Sequence, residues 1–187
     1  LFKTEVKEKK FKMDKWVTRL NSIRGLEDIP CDIPYDEACP IRDFGTIGAG
    51  NHFAEFQCLY QVYDEDTAGG LGLLDGRIFL LIHSGSRGYG QDILSRFYSP
   101  AGLEEGSQEA GAYLAEHDNA LLWAGRNRLA AAVKLLDYLN VDSQVGLLTD
   151  SCHNYVEQTR EGWLHRKGSV SAGHQALVIP GSRGTLT

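Results

Sequence analysis

The spacing of apolar residues along the chain predicts two helical stretches. Residues from Phe2 to Ile23 mix Lys, Glu and apolar side chains at helical intervals, which predicts a helix. Three prolines with acids between them interrupt the pattern from Gly25 to Asp43, which predicts a loop. The longest helical pattern runs from Gln108 to Leu139 without proline, and it predicts one long helix or two.

Other apolar runs are typical of strands. An alternating run rich in aromatics and valine predicts a strand from Phe53 to Tyr63, and a short apolar run predicts a second, buried strand from Arg77 to Ile82. Three shorter strands are predicted at Val145–Thr149, Trp163–His165 and Ala176–Ile179. The chain therefore mixes helices and strands.

The composition is that of a globular domain. With 187 residues, 42% hydrophobic and 24% charged, we expect a single domain over residues 1–187. No apolar run approaches the roughly 20 residues of a membrane-spanning helix, and the lysine-rich start lacks the apolar part of a signal peptide, so we expect a cytoplasmic protein. Four scattered cysteines without Cys-x-x-Cys spacing indicate reduced thiols.

The net charge of −6 limits how the chain can meet nucleic acid. Nonspecific coating of a phosphate backbone needs a dominant cationic surface, so any RNA contact must be local. The lysines of the first helix could form an RNA-binding arm, but the interleaved Glu5, Glu8 and Asp14 favour a solvated helix. Arg126 with Arg128, and the triplet His165–Lys167, are further local positive patches that suit phosphate.

Three histidines stand where a predicted strand meets a turn. They are His52 in GTIGAGNHFAE, His83 in LLIHSGSRGYG and His153 in DSCHNYVE. A side chain at a strand end is held by the sheet but faces the loops, and imidazole is a ligand for manganese, zinc or iron. A lone histidine is more often a hydrogen-bonded structural residue, so each one alone is weak support for a metal site.

Glycine clusters flank two of these histidines, and a third cluster lies near the end of the sequence. The clusters are Gly45, Gly48 and Gly50; Gly85, Gly88 and Gly90; and Gly181 and Gly184. Backbone N–H groups in such turns can surround an anion, and Arg87 and Arg183 stand beside two of the clusters, which favours phosphate. Neither GxxxxGK[ST] nor a well-placed GxGxxG is present, so simple tight turns are an equal interpretation.

Five segments occur in the order of the signatures of the RtcB family of RNA ligases. They are GTIGAGNHFAE, HSGSRGYG, the HN of SCHNYVE, HRKGS and VIPGSRGT, and an Asn127-Arg128 pair accompanies them. The chain resembles that family over about residues 45–187. The resemblance implies an α+β fold, with mixed sheets and helices around a central cleft for metal and nucleotide.

The resemblance also implies site residues. By it, His52, His83 and His153 bind two Mn²⁺ ions, and Arg87 and Lys167 contact RNA or nucleotide phosphate. The residues it assigns to GTP are Asn51, His52, Phe53, Ala54, Glu55, His153, Asn154, Pro180, Gly181, Ser182, Arg183 and Thr187.

The implied reaction joins RNA ends, with tRNA halves or broken RNA as partners. A histidine attacks the α-phosphorus of GTP, the guanylate passes to an RNA 3′-phosphate, and a 5′-hydroxyl then displaces it. A 2′,3′-cyclic phosphate end is opened first. Two other functions stay open from the residues themselves: a metal-dependent phosphoesterase or nucleotide hydrolase, and a noncatalytic guanine-nucleotide-binding module.

Some family features are missing from the sequence. Neither an Asp-x-x-Cys-Gly motif nor a His-Gly-Ala-Gly-Arg-like segment with the nucleophilic histidine is found, and the similar Asp36–Cys39 lacks the glycine. His117 and His174 match no family function, so we expect structural roles for them. Ala49, Arg183 and the KGSVSA segment depart from the usual pattern and indicate a divergent branch. We expect a fragment of a longer protein that does not ligate RNA alone.

Overall fold

The computed structural model describes residues 43–141, 145–173 and 176–179. The predicted helix at Phe2–Ile23 and nearly all of the predicted loop lie outside these residues. The elements, in order, are β1 (Phe53–Cys58), α1 (Glu65–Gly70), β2 (Ile78–His83), α2 (Arg87–Phe97), α3 (Gln108–Tyr138), β3 (Asn154–Thr159) and β4 (Gly162–Lys167). Helices combined with small sheets agree with the expected α+β class.

The strands form two separate antiparallel pairs. β1 pairs with β2, from Phe53 opposite His83 to Cys58 opposite Ile78. β3 pairs with β4, and Asn154 lies opposite Lys167. Within the described residues both sheets have two strands and are antiparallel, in place of the mixed sheets that were expected.

The first predicted strand is too long. β1 ends at Cys58, because its partner β2 begins opposite that residue at Ile78 and offers no backbone to the residues beyond. Helix α1 then begins after Asp64, whose carboxylate accepts a hydrogen bond from the Thr67 N–H at 2.9 Å. β2 lies where it was predicted, but it is half-buried, and Ile78 is exposed.

Two short predicted strands are wrong, and one strand was missed. In the described part of the chain, Val145–Thr149 and Ala176–Ile179 form no strand, although the Thr149 hydroxyl donates to the Ala176 carbonyl at 2.7 Å. The prediction for Trp163–His165 falls inside β4, whose partner β3 has too many polar residues to show a strand pattern.

The long helical pattern forms one helix of 31 residues, α3. The Ser107 hydroxyl caps its start by accepting the Ala110 N–H at 3.1 Å, and Asn140 follows its end with a left-handed φ of 54°. Trp123, Ala130 and Val133 are buried along one stripe of the helix and form the centre of the core. No helix in the described ranges is both long and apolar enough to span a membrane.

Helix α2 was not predicted, because its glycines hide the helical pattern. Gly88 and Gly90 lie in its first turns, where a Cβ atom would crowd the Asp43 carboxylate or the Ser86 hydroxyl. Close approach of other atoms therefore explains glycines that normally weaken a helix. α2 packs on α3 through the rings of Phe97 and Tyr113, whose centroids are 5.7 Å apart.

We predict that Trp123→Ala lowers the free energy of unfolding by about 3–5 kcal/mol, because the indole is 2% exposed and its removal leaves a cavity beneath α3. The neighbouring Leu122 is 38% exposed, so Leu122→Ala should cost less than about 1 kcal/mol. Urea denaturation of both variants measures the difference. Equal losses would show that the core does not lie on this side of the helix.

Candidate functional site

The three predicted histidines come together at strand ends, two from the β1–β2 pair and one from the β3–β4 pair. His52 immediately precedes β1, His83 is the last residue of β2, and His153 immediately precedes β3. The ring centroids of His52 and His83 are 5.6 Å apart, and those of His83 and His153 are 5.1 Å apart. The Nε2 atoms of His83 and His153 are separated by 3.0 Å. Residues about 100 positions apart in sequence thus share one site.

The surroundings of His83 favour its neutral form. Burial lowers the pKa of His83, and repulsion from His153, His52 and Arg128 lowers it further. Neutral imidazole is the form that binds metal ions. The Nδ1 atoms of His83 and His153 are buried and have no hydrogen-bond partner among the described residues. The 3.0 Å separation of the Nε2 atoms allows one shared proton or binding of both atoms to one cation.

The cluster is not a complete metal site. Across residues 43–141, 145–173 and 176–179, no group of three or more His, Cys, Asp or Glu side chains is placed to hold a metal ion together. The described residues therefore supply a pair of closely spaced imidazole nitrogens, with the His52 ring next to the pair.

Arg87 lies beside this cluster in a constrained backbone conformation. It is the first residue of α2 and has a left-handed φ of 57°, which is unusual for a residue with a side chain. Its Nε donates to the Thr46 hydroxyl at 3.3 Å, and its guanidinium lies against Gly48. A Cβ at Gly48 would overlap that guanidinium and would lie 2.8 Å from the His52 Nδ1. Glycine is thus required where the arginine and the histidine meet.

Asn127 of α3 joins two of the loops that carry these residues. Its side chain is fully buried. The amide oxygen accepts the N–H groups of Gly45 at 2.7 Å and Thr46 at 3.1 Å. The amide nitrogen lies 2.9 Å from the Thr46 carbonyl, 3.1 Å from the Ser84 hydroxyl and 3.3 Å from the Gly85 carbonyl. The loop before His52 and the loop after His83 are therefore held to one side chain.

Arg128, the next residue, connects the third loop. Its Nε and Nη2 atoms donate to the two carboxylate oxygens of Asp150 at 2.5 and 2.6 Å, and its Nη1 donates to the Ser84 carbonyl at 2.9 Å. Burial opposes the charge of Arg128, but the hydrogen bonds and charge of Asp150 outweigh it and raise the pKa of the guanidinium. Arg128 thus remains charged and links the segments that precede His153 and follow His83.

Lys134 holds the glycine-rich loop from a third position on α3. Its ammonium donates to the carbonyls of Phe44 at 2.9 Å and Gly45 at 3.2 Å, and burial lowers the pKa of this amine. Gly45 has a φ of 70°, and a Cβ there would lie 2.5 Å from the Lys134 nitrogen. A side chain at position 45 would strain this backbone and displace the Lys134 ammonium.

The NHFAE segment is divided between surface and core. Asn51 is exposed in the turn, whereas Phe53 is buried and its ring meets that of His83 edge-on at 5.5 Å. Ala54 and Glu55 are half-buried on β1. Phe53 therefore supports the imidazole of His83 directly.

The HN and HRKG segments meet in the second hairpin. The Asn154 side chain accepts the Gly168 N–H at 2.9 Å, and the His153 carbonyl accepts the Ser169 N–H at 3.1 Å. Lys167 lies opposite Asn154 and is exposed. The hairpin therefore pairs an exposed lysine with the residue that directly follows His153.

The other residues singled out in the sequence include the arginine pair of α3 and two further histidines. Arg126 and Arg128 do not form a phosphate-binding surface patch, because Arg126 is buried and Arg128 pairs with Asp150. His117 has the structural role that was expected, since its Nε2 accepts the Val156 N–H at 3.0 Å. His174, Pro180, Gly181, Ser182, Arg183 and Thr187 lie outside the described residues.

Sequence reasoning missed Ser84 and Asp150. Both lie within the histidine segments quoted above, but a serine or an aspartate in a loop carries no pattern that shows which arginine it will meet. A cleft of about 370 Å³ also adjoins this region. It lies between α3 and the segment before His153, and it is lined by Leu121, Asp150, Cys152, Tyr155, Val170 and Leu177 among others.

We predict that Asn127→Leu lowers the free energy of unfolding by about 2–4 kcal/mol, because the Gly45 and Thr46 backbone groups lose their buried partners. Asn119 is exposed on the same helix, so Asn119→Leu controls for the chemical change and should have an effect within about 0.5 kcal/mol. Chemical denaturation measures both values. An Asn127→Leu variant with an unchanged free energy of unfolding would contradict the assigned hydrogen bonds.

Comparison with known proteins agrees with these motifs. Residues 35–187 match the family model described as tRNA-splicing ligase RtcB. The RNA-splicing ligase RtcB2 of Escherichia coli is 37% identical over 199 residues, which cover 98% of this chain and 51% of that protein. The tRNA-splicing ligase RtcB of Thermococcus kodakarensis is 29% identical over 191 residues, covering 76% of this chain and 39% of the relative.

The RNA-splicing ligase RtcB of Mycobacterium tuberculosis is 29% identical over 188 residues, covering 79% of this chain and 44% of the relative. The chain therefore spans about half the length of the Escherichia coli relative and less than half of the other two. The family match covers residues 35–187, which include the histidine cluster and the part of α3 that holds it. This chain belongs to the RtcB family.

Proposed function

We propose that the complete gene product is an RNA ligase that joins RNA 3′-phosphate or 2′,3′-cyclic phosphate ends to 5′-hydroxyl ends, with GTP and Mn²⁺. The observation that carries this proposal is the convergence of His52, His83 and His153, with the Arg87 guanidinium beside them. These residues belong to the segments that resemble the family signatures, and the relatives are named as RNA-splicing and tRNA-splicing ligases.

The histidines suit Mn²⁺ by their chemistry. His83 and His153 present two imidazole nitrogens 3.0 Å apart, and the environment of His83 favours the neutral form that binds metal. We assign these two residues to the two Mn²⁺ ions, with His52 as a further ligand. When bound, Mn²⁺ would act as a Lewis acid on phosphoryl oxygens and neutralise their charge.

Cationic groups of the chain suit phosphate. The Arg87 guanidinium, held against Gly48 and Thr46, offers a planar fork of donors that matches phosphate oxygens. Lys167, exposed opposite Asn154, supplies a mobile point charge for an RNA phosphate. These two residues would orient the nucleotide and the RNA end relative to the histidines.

The nucleotide assignment rests on the resemblance. We assign GTP to Asn51–Glu55, His153, Asn154, Pro180–Arg183 and Thr187. Of these, Asn51 and Asn154 are exposed, whereas Phe53 is buried against His83. Phe53 would therefore act on the nucleotide by holding His83, and the two asparagines would contact it directly.

The proposed reaction has two transfers. A histidine nitrogen attacks the α-phosphorus of GTP, pyrophosphate leaves, and a covalent guanylate remains on the histidine. An oxygen of the RNA 3′-phosphate then displaces the histidine and takes the guanylate. The 5′-hydroxyl attacks the phosphorus of that RNA phosphate, so that GMP leaves and the strand is joined. None of the five described histidines is assigned as this nucleophile: three form the cluster, His117 accepts a backbone N–H, and His165 is exposed on β4.

We predict that His83→Ala and His153→Ala each weaken Mn²⁺ binding at least tenfold, because each removes one of two adjacent imidazole ligands. Titration calorimetry of the complete gene product measures the affinity, and circular dichroism checks the fold. His165→Ala is the matched control, since His165 is exposed on β4 and should not alter the affinity. Unchanged affinity and stoichiometry in both cluster variants would refute the metal assignment.

We predict that the complete gene product, incubated with Mn²⁺ and GTP labelled at the α-phosphorus, forms an acid-labile, hydroxylamine-sensitive protein adduct. A histidine–phosphorus bond has this sensitivity, whereas a hydrolase that uses metal-bound water forms no such adduct. Release of labelled GMP without an adduct would support the phosphoesterase alternative instead. Label bound only noncovalently would support a nucleotide-binding module.

A further inference from the structure

The ion pair between Arg128 and Asp150 connects the two loops that carry the closest histidines. We infer that this pair sets the separation between His83 and His153, and that Arg128 and Asp150 are therefore positioning residues for metal binding. The inference rests on the proposed function, because it assumes that these histidines bind Mn²⁺.

One guanidinium touches both loops. Arg128 Nη1 donates to the carbonyl of Ser84, the residue that follows His83, at 2.9 Å. Its Nε and Nη2 atoms donate to Asp150, three residues before His153, at 2.5 and 2.6 Å. Because a guanidinium is planar and rigid, the directions of these bonds are fixed relative to each other. The Arg128 guanidinium and the Asp150 carboxylate together therefore constrain the spacing of the two loops.

The linkage is largely shielded from solvent. The Arg128 side chain is 11% exposed and that of Asp150 is 25% exposed. A shielded ion pair resists salt and water, and loss of one partner leaves the other charge uncompensated. Arg128 Nη2 also lies 3.8 Å from the sulfur of Cys152, which directly precedes His153. The contacts thus extend along the loop up to the histidine.

Gly125 supports a specific role for the carboxylate. It lies in the interior of α3, where glycine weakens a helix relative to alanine. A Cβ at this position would lie 3.1 Å from the Asp150 Oδ2, closer than an ordinary contact. The helix therefore has glycine at the point where the Asp150 carboxylate approaches it.

Other ion pairs of the chain provide a comparison. Arg166 pairs with Glu157 across the β3–β4 hairpin, and their nitrogen and oxygen atoms are 2.5 Å apart. Both members belong to one hairpin, so this pair does not connect the loop of His83 to the loop of His153. It is also an arginine–carboxylate ion pair, but it does not connect the two histidine loops. It therefore serves as the matched control.

The test compares the Mn²⁺ affinity of the complete gene product with that of its Asp150→Asn variant, measured by calorimetry. The thermal stability of each protein is measured separately without metal. Asp150→Asn keeps the size of the side chain but loses its charge and one acceptor. We expect its Mn²⁺ affinity to fall by about 10–100-fold, the range for residues that orient metal ligands. Glu157→Gln should bind Mn²⁺ as the unaltered protein does.

Gly125→Ala keeps the test decisive if Asp150→Asn does not fold. The added Cβ moves the carboxylate by a few tenths of an ångström while it improves helix propensity. We expect weaker Mn²⁺ binding, by about threefold or more, in a protein that stays folded. If the unaltered protein binds Mn²⁺ and both variants bind it equally well, the positioning role is wrong. If the unaltered protein does not bind Mn²⁺, the proposed function itself fails.

Discussion

The structure depends on the hydrogen bonds of one buried amide, that of Asn127. This side chain lies among the apolar residues of α3 and is completely shielded from solvent. A buried amide is costly unless its donors and acceptor are paired, so the loop at Gly45 and Thr46 and the loop at Ser84 must approach it closely. The long helix therefore determines the paths of two loops that have no regular structure of their own.

The neighbouring Arg128 extends this control to a third loop through Asp150. Together the two side chains gather three segments that are distant in sequence, and each segment places one histidine at a strand end. Two small hairpins could not fix these positions by themselves, because two-stranded sheets are only marginally stable alone. The site is thus built from the helix outward, and the glycines at positions 45 and 48 leave room for Lys134 and Arg87.

The sequence predicted the long helix, β2, part of β1 and the location of the three histidines where strands meet turns. Helix α2 was hidden by Gly88 and Gly90, which are present because of close contacts that no pattern reveals. The hairpin strand β3 was hidden by its polar residues. Arg128 was misjudged as a surface cation, because its burial depends on Asp150 in a distant loop. Local patterns predict elements, whereas long-range polar pairs appear only in three dimensions.

Pulsed electron paramagnetic resonance of Mn²⁺ bound to the complete gene product tests the convergence of the histidines most directly. A nitrogen bound to the ion gives a strong hyperfine coupling, and labelling of histidine with ¹⁵N shows which couplings come from imidazole. We predict coupling from at least two imidazoles, which His83 and His153 would supply because their Nε2 atoms are 3.0 Å apart. Manganese bound without any histidine nitrogen coupling would contradict it.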